Sequence, residues 1–396
     1  MPVPVQLDAD ARDAVKGINA FSIDLYRQTV DQPENHVISP ASVSVAMSLA
    51  YRASGGTTAE EMRNILHFPA APTDYLHATS GVLKSMNFKK SGRELATANA
   101  IWVDRSVILR PDYLHDTTGL AGSAIEQADF RGAPDAARQT INHWVEGRTN
   151  GRIRDLLAPP HVTPATRSVL VNTIYWKANW ALPFENASTH KEPFRQIDGR
   201  RVQIDLMHQR SAFHVLERNG VKAILLPYEG GELEMAVFLP NSFKGLTDFE
   251  KRLTPDRLGD WLTRLEQAEA RDTILTLPKM HLGWGKNLVP IFKTMGLNAP
   301  FGMDADFSAI ATPADRGTLA IGAIVHQTYL DVDENGSEAA AATAVVAEMV
   351  ISGRRGPPPP PPFVFRADHP YFFILRDRRT GLICFMGRFV TAPAGA

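Results

Sequence analysis

The chain has 396 residues, 44% of them hydrophobic, enough to bury a large core in one big domain or two ordinary ones. A formal net charge of -1 supplies no electrostatic case for nucleic acid or for a membrane surface. The single cysteine, Cys384, leaves neither an internal disulfide nor a cysteine-ligated metal site, and no run approaches the ~18 apolar residues of a membrane span.

The opening, MPVPVQLDADARDAV, lacks a basic n-region and an apolar core of signal-peptide length, so no export signal is expected. From Asp10 to Thr29, Val15, Ile18, Phe21, Leu25 and Tyr26 recur at helical spacing and predict an amphipathic helix. His36-Val37-Ile38-Ser39-Pro40-Ala41-Ser42 then leads into VSVAMSLAYRA. Serine and proline suit a helix start, and a helix apolar nearly all round should be buried. Gly55 and Gly56 stop it, and Thr57-Thr58-Ala59-Glu60-Glu61 predicts a capped restart.

Lys84, Lys89, Lys90 and Arg93 form a modest basic cluster, read as a solvated face, and Glu94 to Val103 reads as a strand. Ile141, Trp144 and Val145 predict a helix that Thr149-Asn150-Gly151 stops. Arg167 to Lys177 is apolar enough for a strand deep in a sheet, ended by Ala178 to Glu185. Further strands are expected over Ala223 to Pro227, Leu233 to Leu239 and Thr273 to Leu277, and a helix over Leu288 to Leu297. Tyr371 to Arg388 reads as a hairpin turning at Asp377 to Gly381. Strands and helices mix without βα alternation or a repeat, which argues for an α+β domain spanning 1–396.

Nothing in the chain reads as catalytic. There is no G-x-S-x-G elbow and no H-E-x-x-H, and the twelve histidines lack ligand spacing. His281-Leu282-Gly283-Trp284-Gly285-Lys286 has no second half of a Walker motif and reads as a turn. No catalytic residue, metal or cofactor is assigned.

The informative stretch is ENGSEAAAATAVVAEMVISGRRGPPPPPP, from Glu334 to Pro362. Ala339 to Ala342 would suit a helix on propensity alone. With period two, Ser337, Ala339, Ala341, Thr343, Val345, Ala347 and Met349 fall on one face, all small or apolar. Glu338 and Glu348 fall on the other, so the segment could become a central strand without burying charge. A strand over Ala323 to Val332 and turn residues Asp333 to Gly336 precede it. Strand, hinge and potential strand together make a bistable element. The proline tract Pro357 to Pro362 reads as a stiff polyproline II spacer, with docking to an aromatic groove as the alternative.

Glu334-Asn335-Gly336-Ser337-Glu338-Ala339-Ala340-Ala341-Ala342-Thr343 resembles the reactive-loop hinge of inhibitory serpins. ISPASVSVAMSLAYRASGGTTAEEM, VLVNTIYWKANWALPFE and FRADHPYFFILRDRRTGLICFMGR resemble other segments of that family in the same order, over roughly Ala14 to Val390. The resemblance implies a central, mostly antiparallel sheet, surrounding helices and an exposed loop over about 334–362. Carried over residue by residue, it places Ser39, Ser42, Asn172 and His326 in the shutter beneath the sheet, and Trp180 at the breach above it.

The implied function is suicide inhibition. A monomeric inhibitor is cut by a serine protease, or a cysteine protease, stays bound as an acyl-enzyme, and inserts its hinge into the sheet from Ser337 onward. Counting from the hinge puts the scissile bond at Val350-Ile351, which suits elastase-like or subtilisin-like pockets. Cleavage after Met349 or Ile351, or after Arg354 or Arg355 by a trypsin-like enzyme, stays open because the loop looks longer than usual. A non-inhibitory carrier or chaperone is the alternative, disfavoured by the small hinge residues. The family resemblance points to the extracellular space or periplasm; the absence of a visible leader points to the cytoplasm.

Overall fold

The structure, a computed structural model, describes residues 7–30, 33–86, 88–90, 93–117, 123–149, 151, 153–311, 319–337 and 360–392. The first half runs α1 (Ala9–Thr29), β1 (His36–Ile38), α2 (Pro40–Ala53), α3 (Gly56–Ile65), α4 (Pro72–Met86), β2 (Phe88–Lys90), β3 (Arg93–Asp104), α5 (Pro111–Thr117), β4 (Ser123–Ala128), α6 (Pro134–Arg148) and β5 (Ser168–Asn179). Next come β6 (Thr189–Arg195), β7 (Arg201–Arg218), β8 (Val221–Pro227), β9 (Leu233–Pro240), α7 (Gly245–Lys251), α8 (Pro255–Gln267), β10 (Ala270–Pro278) and β11 (Met280–Asn287). The chain continues through α9 (Val289–Thr294), β12 (Ile321–Val332), β13 (Gly336–Ser337), β14 (Phe363–Arg366), β15 (Tyr371–Asp377) and β16 (Ile383–Phe389).

Among the described residues, one sheet runs β11-β12-β5-β3-β2, with β4 on β3 and β13 on β5. Its centre is a parallel contact of β5 with β12, from Ser168 beside Ile321 to Tyr175 beside Tyr329. The other sheet runs β1-β16-β15-β9-β8-β7-β10-β14, with β6 on β7. The long strand β7 joins its two parts, pairing with β10 from Leu206 to His214 and with β8 from Val215 to Arg218.

Between the sheets, Ile174 and Trp176 of β5 share a core with Phe373 and Phe385. On the far side of the β5–β12 sheet, α6 packs Ile141 and Val145 onto Val169, Val171, Ala323 and Val325. Helix α2 begins as its residues dictate, with Ser39 as N-cap accepting from the Ser42 amide and Pro40 in the first turn. Every residue of α2 except Arg52 is buried.

Two expectations fail. The restart at 57–61 is not a side-chain cap: α3 begins at Gly56, with Gly55 as an N-cap that makes no side-chain bond. The Thr58 hydroxyl instead accepts from the Asp306 amide, and the Glu61 carboxylate accepts from the Asn298 and Ala299 amides, so both serve another segment. His281 to Lys286 is not a turn but the body of β11, paired with β12 throughout. A Cβ at Gly285 would stand 3.1 Å from Gln327 Cγ on the neighbouring strand, a tight contact that the Gln327 side chain would have to yield to.

The basic residues Lys84, Lys89, Lys90 and Arg93 fall on α4, β2 and β3, but their side chains lie outside the described residues. No described helix is long and apolar enough to cross a membrane.

Candidate functional site

The four residues placed beneath the sheet converge. Asn172 on β5 and His326 on β12 are direct neighbours in register, and His326 Nδ1 bonds the Asn172 side-chain oxygen. His326 Nε2 accepts from the Ser39 amide at 3.2 Å, which puts the imidazole proton on Nδ1. The Asn172 side-chain amide donates to the Ser42 carbonyl at 2.8 Å and to the side-chain oxygen of Asn99 on β3. Ser39 Oγ donates to the Cys384 carbonyl on β16 at 2.6 Å. One polar cluster therefore ties β3, β5 and β12 to the N-terminus of α2 and to the second sheet. Since the Asn172–His326 bond spans the β5–β12 seam, parting those strands breaks it.

Burial pushes the His326 imidazole down to about 3, so the ring is neutral here. Its folded value lies below the unfolded one near 6.5, so the unfolded chain binds the extra proton between those limits. Stability from this site is fully present above about pH 6.5 and falls as pH drops, by about 1.4 kcal/mol per unit. We expect His326→Gln to flatten the loss of urea stability between pH 7 and 4.5, relative to the unsubstituted chain. Parallel profiles would show that other groups govern that limb.

Above the seam, the hinge is anchored residue by residue. Asp333 accepts from the Asn335 amide at 2.8 Å and from the Gly336 amide at 3.2 Å, closing the turn after β12. The Trp180 indole donates to the Asp333 carbonyl at 2.9 Å, and the Trp180 amide donates to the Asn335 carbonyl at 2.7 Å. Trp180 stacks on Tyr228, ring centroids 4.4 Å apart and planes within 10°. The Tyr228 hydroxyl bonds Ser337 Oγ at 2.8 Å, and burial pushes its phenol up, keeping it protonated. Gly336 has φ +151°, and a Cβ there would stand 2.1 Å from the Ala178 carbonyl oxygen, so only glycine fits.

Glu334 is buried, and its carboxylate accepts from Thr189 Oγ1 at 2.7 Å and from Lys279 at 2.9 Å. Burial alone would raise its pKa, but the bonds from Lys279 and Thr189 prevail and hold it below the usual carboxylate value. Losing this charge-assisted pair should cost about 2 kcal/mol. Glu334→Gln is therefore expected to speed amide hydrogen exchange at Gly336 and Ser337 by about tenfold or more. Unchanged exchange would mean that the backbone bonds to Trp180 and Phe184 carry the anchor.

Gly336 and Ser337 form β13, an antiparallel continuation on β5 opposite Asn179 and Ala178. Both are buried. Glu338, Ala339, Ala340, Ala341, Ala342 and Thr343, the bond Val350-Ile351, Arg354, Arg355 and the prolines up to Pro359 lie outside the described residues. Asn99, Tyr228, Lys279 and Thr189 join the site without any sequence signal of their own. They come from four separate strands or turns and meet only through the sheet pairing. Among the described residues no cluster of histidine, cysteine and carboxylate side chains could hold a metal.

The serpin family profile, described as serine protease inhibitor, matches residues 16–392. A serpin-like protein of Thermococcus kodakarensis is 34% identical over 98% of this chain and 88% of its own length. Human leukocyte elastase inhibitor is 32% identical over 93% of this chain and 97% of its own. Among solved structures, a highly specific serpin of the insect Tenebrio molitor superposes with a TM-score of 0.83 at 28% identity, covering 98% of this chain and all of the other. With the family profile covering nearly the whole chain and relatives above 30% identity along almost its full length, the chain belongs to the serpin family.

Proposed function

We propose that this chain is a suicide inhibitor of serine endopeptidases. The target's serine oxygen attacks the carbonyl of Val350, the amine of Ile351 leaves, and an ester joins Val350 to the protease. A cysteine protease would form the corresponding thioester. The freed hinge then inserts between β5 and β12 and carries the tethered enzyme away before the ester is hydrolysed.

The observation that carries this reading is β13. The β5–β12 contact ends at Tyr175 and Tyr329, while β5 continues to Asn179 with Gly336 and Ser337 already paired to its upper end. The first hinge residues thus lie in strand register at the mouth of a seam closed below them. Continuing that register sets Ala339 opposite Trp176, Ala341 opposite Ile174 and Thr343 opposite Asn172. Trp176, Ile174 and Asn172 face the buried side, so the incoming residues on that side are small, while Glu338 and Glu348 go to the other face. Thr343 would arrive between Asn172 and His326 with a hydroxyl that can bond both, where parting the strands has broken their direct bond.

A β-branched residue at the cut suits an elastase-like pocket, and the human relative named leukocyte elastase inhibitor supports that target class. The test is incubation with elastase, subtilisin, chymotrypsin, trypsin and a papain-like enzyme, followed by denaturing gels. A protease complex that survives denaturation is expected with elastase or subtilisin. Clean loop cleavage without complex, across the panel and over a range of ratios, would overturn the proposal.

A further inference from the structure

At the end of β6 away from Thr189, Arg195 and Arg201 are direct cross-strand partners. Like charges in that position repel. Their neighbour Arg200 is neutralised by Asp198 at 2.6 Å, but among the described residues neither Arg195 nor Arg201 has a carboxylate within ion-pair reach. The Arg195 guanidinium lies 3.4 Å from the centre of the Phe243 ring, and its Nε is buried without a hydrogen-bond partner. The Lys244 ammonium stands 5.6 Å from the same ring. Two cations therefore meet on one phenyl group, Arg195 from the hairpin end and Lys244 from the turn after β9, with Arg201 across the strand from Arg195.

Between them is a cleft of about 590 Å³, lined by Arg195, Arg201, Asn241, Ser242, Phe243 and His369 among others. Asp368 also borders it but does not neutralise the arginines: its two oxygens are held by Arg366 and by His369, each at 2.8 Å. The cleft is thus a concave site with uncompensated positive charge and a buried donor lacking an acceptor. A guanidinium pairs with tetrahedral oxyanions through two parallel N–H bonds, and two opposed guanidinium groups match a doubly charged one.

We propose that this cleft binds a compact oxyanion, a phosphate or sulfate group, through Arg195 and Arg201. The bound anion relieves the cross-strand repulsion. The volume exceeds what a bare oxyanion fills, so the organic part of an ester fits beside Asn241 and Ser242. The site is independent of the protease-inhibition reading, since it shares no residue with the hinge or with the seam between β5 and β12.

The test is isothermal titration of the full chain, at fixed ionic strength, with inorganic phosphate, inorganic sulfate and glucosamine 6-sulfate. Saturable binding is expected, weakened at least thirtyfold by Arg201→Glu. Arg201 is exposed, so that variant should keep its unliganded melting temperature. Arg195→Lys, which keeps the charge and loses the fork, should weaken binding about tenfold. Tighter binding of the sulfate ester than of inorganic sulfate assigns an ester as the ligand, and equal binding assigns the free anion. No saturable binding of any of the three, or equal affinity in Arg201→Glu, overturns the site.

Discussion

Ser337→Arg is expected to abolish the denaturation-stable protease complex while leaving cleavage of the loop intact. Ser337 is fully buried, and its hydroxyl meets Tyr228 under the stacked Trp180 ring. A guanidinium there takes the place of a small hydroxyl in a buried site, and a buried charge without a partner costs several kcal/mol. The magnitude matters because insertion competes with ester hydrolysis. If the charge breaks the β13 pairing from which the hinge enters the seam, and about 3 kcal/mol falls on the barrier to insertion, insertion slows about a hundredfold. The acyl-enzyme then turns over, and the inhibitor is consumed as a substrate. The measurement is the moles of inhibitor used per mole of protease silenced, with the initial cleavage rate as control. Ser337→Ala, which removes only the hydroxyl, should leave that ratio nearly unchanged. Undiminished inhibition by Ser337→Arg would sink the insertion mechanism, because insertion starts from the β13 pairing that a buried guanidinium breaks.

How far the sequence disclosed this architecture depends on whether each signal was local. Helix α2 was readable because Ser39 and Pro40 start it and because apolar side chains on every face leave only burial. Strand β5 was readable as a mostly apolar run, and β12 with the turn after it as a strand followed by Asp333 to Gly336. Strand β11 does not read as a strand because two glycines thin its pattern, and only its pairing with β12 shows it to be one. Strand β7 escaped notice because it serves both parts of its sheet, so its burial alternates early and late but breaks around Met207. Helix α8 carries a local signal of its own. Thr254 and Pro255 start it, and Leu258, Trp261, Leu262 and Leu265 repeat at helical spacing. For the site, Ser39, Ser42, Asn172, His326 and Trp180 came from the resemblance. Asn99, Tyr228, Lys279 and Thr189 were silent because a hydrogen bond between distant strands leaves no trace in composition or period.

Val350→Arg is expected to move the target from elastase-like to trypsin-like proteases. The rate towards trypsin should rise, and that towards elastase fall, by about a hundredfold or more, since a pocket accepts or rejects the residue at the cut through its charge and depth. The choice of Val350 over the arginines downstream rests on strand length. Strand β5 spans 12 residues, Ser168 to Asn179, or about 40 Å at 3.3 Å per residue. In the register of β13, Ser337 meets Ala178 and Ala347 would meet Ser168, the first residue of β5 and its far end from the hinge. Cleavage after Val350 leaves three residues beyond that end, enough to tether a protease against the far pole. Cleavage after Arg354 or Arg355 leaves seven or eight, a slack leash that lets the protease stand off and keep its active site intact. The same logic predicts what trypsin does to the unsubstituted chain: it cuts after Arg354 or Arg355 and mostly departs. The released peptide reports the bond directly by mass, beginning at Ile351 in the first case and at Arg355 or Gly356 in the second. A stable trypsin complex formed by the unsubstituted chain, with a peptide starting at Gly356, would show that the inserted strand tolerates an overhang and that the Val350 assignment is wrong.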